Sequence, residues 1–125
     1  MSRPFSKATL AAIEESKILG VRAGARSHHR FIGIWAVVVK GRVLARSYTL
    51  SKEGWYRTFL EDPLGVIQVG ERQLPIRALP VRSERLRDAS EQVYAEKYAT
   101  PGSLKYVRGF KTPRRRATTL EFVPR

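Results

Sequence analysis

Residues 32–81 constrain the fold more than any other stretch of this chain. They read IGIWAVVVKGRVLARSYTLSKEGWYRTFLEDPLGVIQVGERQLPIRALPV. Short apolar segments alternate with glycine-bearing turns, a pattern of hairpins rather than of strand–helix–strand crossovers. Residues 32–39 are rich in Ile, Trp and Val, which suit a pleated surface. Their near-continuous apolarity implies burial on both faces, as in a barrel wall covered by another element. Trp35 within them reads as core. Lys40-Gly41 is a two-residue turn, because glycine tolerates positive φ. Along 42–48, Val43, Ala45 and Ser47 point one way and Arg42, Leu44, Arg46 and Tyr48 the other. Residues 54–62 suit a short helix, with Trp55 and Phe59, and Tyr56 and Leu60, at i,i+4 spacing. Asp62-Pro63 ends it, since proline disfavours a helical residue before it. Residues 65–69 and 74–81 form a second hairpin across 70–73. Pro75 and Pro80 push its second strand toward a sheet edge or confine the prolines to its ends.

The flanks supply helices. Ser6 caps one running to about Ser16, with Leu10 and Ile13 on its apolar side. Residues 17–22 read as a short first strand and 24–30, GARSHHR, as a polar loop. Ser83 caps a longer helix to about Tyr98. Leu86, Ala89 and Val93 lie on one face with Tyr94 beside them, and Tyr94 and Tyr98 read as packing residues with their hydroxyls at the rim. Thr100-Pro101-Gly102 breaks it, residues 112–116 read as exposed loop, and 117–123 as a closing strand. The expected fold is mainly β (α+β): a small antiparallel barrel of about five or six strands with two or three flanking helices. One domain over 1–125 is expected, with a basic, loop-rich segment at about 100–116.

Charge bears on partners. Lys and Arg number 24 against 11 Asp and Glu, a formal net charge of +13. Such a field attracts polyanions: nucleic acid, anionic lipid, or a small ligand bearing several phosphates or carboxylates. No nucleic-acid motif accompanies the basic run TPRRR at 112–116, so binding there would be nonspecific. The chain has no cysteine, which excludes disulfides, thiolate catalysis and Cys-based metal sites. His28 and His29, the two histidines, sit in a basic loop without the further ligands a metal needs. No apolar run approaches the roughly 18–20 residues of a membrane span, and Glu14 and Glu15 interrupt the place of a signal-peptide core. A cytoplasmic protein without a membrane partner is the expectation.

Several words of the sequence carry a resemblance: Ile34-Trp35, Arg46-Ser47, Gly54-Trp55-Tyr56-Arg57, Asp62-Pro63, Val69-Gly70 and Ala95-Glu96-Lys97-Tyr98. Over roughly 32–98 the chain resembles the flavin-binding split-barrel superfamily. Within it, the chain is similar to an uncharacterised bacterial domain-of-unknown-function family related to the deazaflavin-dependent nitroreductases. The resemblance implies a split barrel that binds FMN or a deazaflavin, an anionic cofactor that transfers hydride to a small acceptor. Such proteins often form homodimers. It implies cofactor contacts from Arg46 and Ser47 on the strand and from Ser51, Lys52, Trp55, Tyr56 and Arg57 around the short helix. An Arg fork and a neighbouring hydroxyl match phosphate oxygens. No acid–base dyad is implied, because the cofactor supplies the chemistry. Two departures stand out. The Gly-Arg-Lys-Ser-Gly loop of the nitroreductases has no counterpart in GARSHHR. Trp55 also occupies the place of the phosphate-contacting Lys of the FMN oxidases. The alternative is a split-barrel binding module without catalysis, whose basic surface takes nucleic acid or another polyanion.

Overall fold

The computed structural model describes residues 4–125. Among them the chain forms, in order, α1 (Lys7–Glu15), β1 (Leu19–Ala23), β2 (Ile32–Ile34), β3 (Ala36–Val39), β4 (Arg42–Ala45), α2 (Trp55–Glu61), β5 (Leu64–Val69), β6 (Arg72–Pro80), α3 (Glu84–Lys97), α4 (Pro101–Gly109), α5 (Pro113–Arg116) and β7 (Leu120–Pro124). The seven strands make one antiparallel sheet in the order β2-β1-β5-β6-β7-β4-β3. The two edge strands are therefore neighbours in sequence. The sheet curls until the two halves of residues 32–39, parted at Trp35, form its two edges.

Each local element has a sequence cause. Ser6 caps α1 by accepting from Thr9 N (3.1 Å), and Ser83 caps α3 by accepting from Leu86 N (3.2 Å). Lys40 and Gly41 adopt φ of 52° and 77°, the paired positive values of a hairpin turn whose twist matches the flanking strands. The β5–β6 turn is tighter than the sequence suggests: Val69 pairs with Arg72 across Gly70-Glu71, so β6 starts before the expected 74. Although β6 is central, its prolines lie toward the ends of the β6·β7 ladder. Pro80 pairs with Leu120, and the carbonyl of Pro75 accepts from Arg125 N just past the last paired residue, Pro124.

Two apolar clusters divide the interior. One fills the barrel, with Val21, Ala36, Val43, Ala45, Ile67, Ile76 and Phe122 contributed by strands, Ile13 by α1, and Trp55 and Phe59 by α2. The other lies outside β3 and β4, where Val37, Val39 and Leu44 meet Leu86, Tyr94 and Tyr98 of α3 and its flank and Val107 and Phe110 of α4 and its flank. The covered wall expected over 32–39 is found at β3, and β4 shares it, whereas Ile32 and Gly33 of β2 are exposed.

Three expectations are corrected. Residues 32–39 form two strands rather than one, which with the short β1 raises the strand count to seven. The segment at 100–116 is helical, not loop-rich. Pro101 and Pro113 each stand in the first turn of a helix behind Thr100 and Thr112, a place where a missing N–H costs nothing. Five helices result among the described residues, where two or three were expected.

Candidate functional site

The site begins at the break between β2 and β3. Ala36 pairs with Ala45 as the last rung of the β3·β4 ladder. The next rung would join Trp35 and Arg46, and Tyr94 of α3 stands in it instead. Its hydroxyl accepts from Arg46 N (3.0 Å) and donates to the Trp35 carbonyl (2.6 Å). Burial pushes this phenol well above its ordinary pKa, so it stays protonated and can serve both bonds. Lys97, one turn on, donates from Nζ to the carbonyls of Ala36 (2.7 Å) and Ile13 (3.0 Å). Helix α3 thus splits the ladder and holds it open.

The Arg46 side chain then turns into the protein. Nε donates to Thr119 Oγ1 (2.8 Å). Nη1 donates to Glu91 Oε1 (3.0 Å) and the Phe110 carbonyl (2.8 Å). Nη2 donates to the Arg87 carbonyl (3.0 Å) and Ser90 Oγ (3.1 Å). A guanidinium has five N–H donors, and all five are engaged. Burial pulls its pKa down while Glu91 partly restores it. Glu91 also takes Arg116 Nη1 (2.7 Å), and Arg116 reaches Glu84 and Asp88 as well, which raises the Arg116 pKa.

Where the strands part, a cavity of about 430 Å³ opens, lined by Ile32, Gly33, Ile34, Trp35, Arg46, Tyr48, Thr49, Trp55, Tyr106 and Phe110. Five of these are aromatic and none is acidic. One face of Trp35 is stacked on Tyr98, with centroids 4.1 Å apart and planes 6° from parallel. Tyr106 meets Trp35 and Tyr48 edge-on at 5.9 and 5.1 Å. Such walls suit a flat aromatic ligand. Gly109 lets α4 press on this wall: a Cβ there would lie 2.7 Å from the Tyr48 ring.

A second recess, of about 250 Å³, adjoins the first at Thr49, which lines both. Its other lining residues are Leu50, Ser51, Tyr56, Arg57, Arg114, Ala117 and Thr118. Two exposed arginines and a serine hydroxyl give it the donors of an anion site.

The residues expected at a cofactor site separate accordingly. Trp55 lines the aromatic cavity; Ser51, Tyr56 and Arg57 line the recess. Lys52 is exposed beside it. Arg46 and Ser47 are corrected. Arg46 has no donor left for a phosphate, and Ser47 is fully buried with its hydroxyl donating to the Thr49 carbonyl (2.6 Å). Their part is to build the wall. Sequence reasoning missed Trp35, Tyr48, Tyr106, Phe110 and Arg114. The basic run was one signal for the last of these, although its arginines diverge. Arg115 stacks on Tyr48 (4.0 Å) and donates to its carbonyl, and Arg116 turns to the α3 carboxylates. Among the described residues no group of three His, Asp or Glu comes together to hold a metal ion. Nor is any helix long and apolar enough to cross a membrane.

Lys97 gives a pH signature. Burial, aided by nearby Lys17, lowers its ammonium to about 8. The unfolded chain keeps that proton to about pH 10.4, so in this window it binds more protons than the fold. Stability attributable to this group therefore rises as pH climbs from about 8 to 10.5. Thermal melts of the wild type and Lys97→Met are expected to differ by an amount that shifts in favour of the wild type over that range. A constant difference would contradict this.

The fold is shared with several solved structures. Superposed solved structures include the conserved hypothetical protein Rv2991 from Mycobacterium tuberculosis (TM-score 0.62, 12% identity, 95% of this chain and 79% of that one). An F420-H2-dependent reductase (FDR-A) matches at TM-score 0.58 and 19% identity, over 86% of this chain and 93% of that one. A FAD-binding protein (mll6688) from Mesorhizobium loti matches at TM-score 0.57 and 12% identity, over 99% and 91%. At these identities the likeness is one of fold. Curated protein sequences give no match. Residues 8–122 match the model of a family described as "Uncharacterized protein conserved in bacteria (DUF2255)", and the chain belongs to that family.

Proposed function

We propose that this protein binds a flavin or deazaflavin cofactor, with the cofactor's ring system in the aromatic cavity and its anionic tail on the arginine recess, and transfers hydride to a small acceptor. The observation that carries the reading is the adjacency of the two spaces: an apolar aromatic cavity of about 430 Å³ meets a cationic recess at Thr49. The volume falls within the roughly 300–1,000 Å³ of small-molecule sites. The fold shared with an F420-H2-dependent reductase and a FAD-binding protein supports it. When bound, the cofactor supplies the hydride chemistry.

The chain's own residues bind and orient. Trp35 and Trp55 offer ring faces and edges, Tyr48 and Tyr106 narrow the mouth against water, and Ser51, Arg57 and Arg114 receive the anion. Arg46 is a positioning residue that holds Phe110, and with it the end of α4, against the cavity.

The test separates ring from tail. Arg57→Ala and Arg114→Ala are each expected to weaken FMN binding roughly tenfold or more, the worth of a charge-assisted hydrogen bond. Riboflavin, which has the ring and lacks the phosphate, should bind both variants as it binds the wild type. Equal losses for the two ligands would remove the tail assignment.

A further inference from the structure

The proposed function leaves most of the positive charge unexplained, along with an uneven spread of exposed apolar side chains. Among the large hydrophobic residues left exposed, Ile32 (41%), Tyr48 (39%) and Tyr106 (38%) line the cavity. Ile18, at 51% the most exposed of them, joins the same rim: its Cγ2 would lie 2.7 Å from a Cβ at Gly33, another lining residue. Cations stand beside these groups. Lys105 Nζ lies 5.0 Å from the Tyr106 ring centroid and Arg115 4.0 Å from that of Tyr48. Lys17 adjoins Ile18 in sequence. The three segments that build most of the rim, residues 17–35, 46–50 and 100–116, contain no Asp or Glu at all.

We infer that the face around the cavity mouth docks on an anionic lipid surface. Aromatic and aliphatic tips flanked by Lys and Arg, with no carboxylate among them, match the boundary between acyl chains and negative headgroups. Tyr48 and Tyr106 carry an apolar ring with a polar tip, the form that settles at that boundary. Among the described residues no helix is long and apolar enough to cross a membrane, and the attachment inferred here is peripheral. This departs from the sequence expectation of no membrane partner. It has a consequence for access: the cavity opens against the bilayer, and an apolar acceptor reaches it from the lipid rather than from water. The inference concerns the mouth alone and stands whether or not a flavin occupies the cavity.

Vesicle flotation of the full chain tests it. The protein is expected to float with phosphatidylcholine vesicles containing about one third phosphatidylglycerol, and not with phosphatidylcholine alone. Ile18→Glu and Lys105→Glu should each reduce the bound fraction roughly fivefold or more, the worth of one favourable group at the surface. Leu79→Glu is the control. Leu79 is a comparably exposed residue (36%) on β6, three places from β2 in the sheet, and its replacement should leave flotation unchanged. Circular dichroism melts confirm that each variant is folded. Flotation that ignores Ile18 and Lys105, or an equal loss with Leu79→Glu, would overturn the inference. So would absence of flotation with tight, salt-sensitive binding to a DNA duplex, which would assign the charge to nucleic acid.

Discussion

Arg46→Ala is expected to lower stability by about 3–5 kcal/mol, the range for removing one partner of a buried charged network. In a chain of this length that is a fall of about 10–20 °C in the melting temperature. The side chain is fully buried and joins β4, α3, the end of α4 and the approach to β7 through five hydrogen bonds. Its loss would orphan the Phe110 carbonyl and leave Glu91 with Arg116 alone. Arg46→Lys tests the geometry rather than the charge. An ammonium has three donors and cannot serve five acceptors spread around a plane, so this variant should also melt well below the wild type. Chemical denaturation of both variants checks the prediction. A loss under about 1 kcal/mol would mean that Arg46 behaves as a surface cation.

Tyr94→Phe is the second large effect, and it acts on shape as well as stability. Removing one oxygen leaves a buried donor, Arg46 N, and a half-buried acceptor, the Trp35 carbonyl, without their shared partner. At about 1–3 kcal/mol for each orphaned group, a loss of about 2–6 kcal/mol is expected. The two strands can recover by closing on each other, because these groups are the natural partners of the next ladder rung. That closure would narrow the cavity. The expected result is therefore a folded variant that binds FMN far more weakly than its melting temperature would suggest. A variant that is destabilised yet binds as the wild type does would show that Tyr94 is only a core residue.

The legible parts of the sequence were those set by local rules. The Lys40-Gly41 turn, the Ser83 cap and the double burial of the wall at β3 all follow from neighbours in the chain. Asp62 was expected as a turn residue, and its carboxylate accepts from Ala25 N and Leu64 N, which holds its pKa low. The break at Trp35 was not legible. Nothing in IGIWAVVV marks it, since the groups that enforce it, Tyr94 and Lys97, lie about sixty positions away. Arg46 was misjudged for a related reason. Alternation grouped it with Leu44 without saying which face was outer; that face is roofed by α3 and α4, so an outward arginine is a buried one. The helices of 101–116 were hidden by prolines, which stop a helix from within and begin one at its first turn with equal ease. With those helices unseen, Tyr106, Phe110 and Arg114 could not be brought to the site.

The central claim, that the aromatic cavity takes a flavin-type ring, has a direct probe built into the chain. Trp35 and Trp55 are its two tryptophans, and both line the cavity. Intrinsic tryptophan fluorescence therefore reports on this space and little else. Titration with FMN, and separately with the deazaflavin cofactor F420, is expected to quench that emission saturably for at least one of them. Trp35→Phe should remove part of the signal, and Arg57→Ala should shift the curve to higher concentration. Emission that stays unchanged through both titrations, in protein shown by its melt to be folded, would contradict the account.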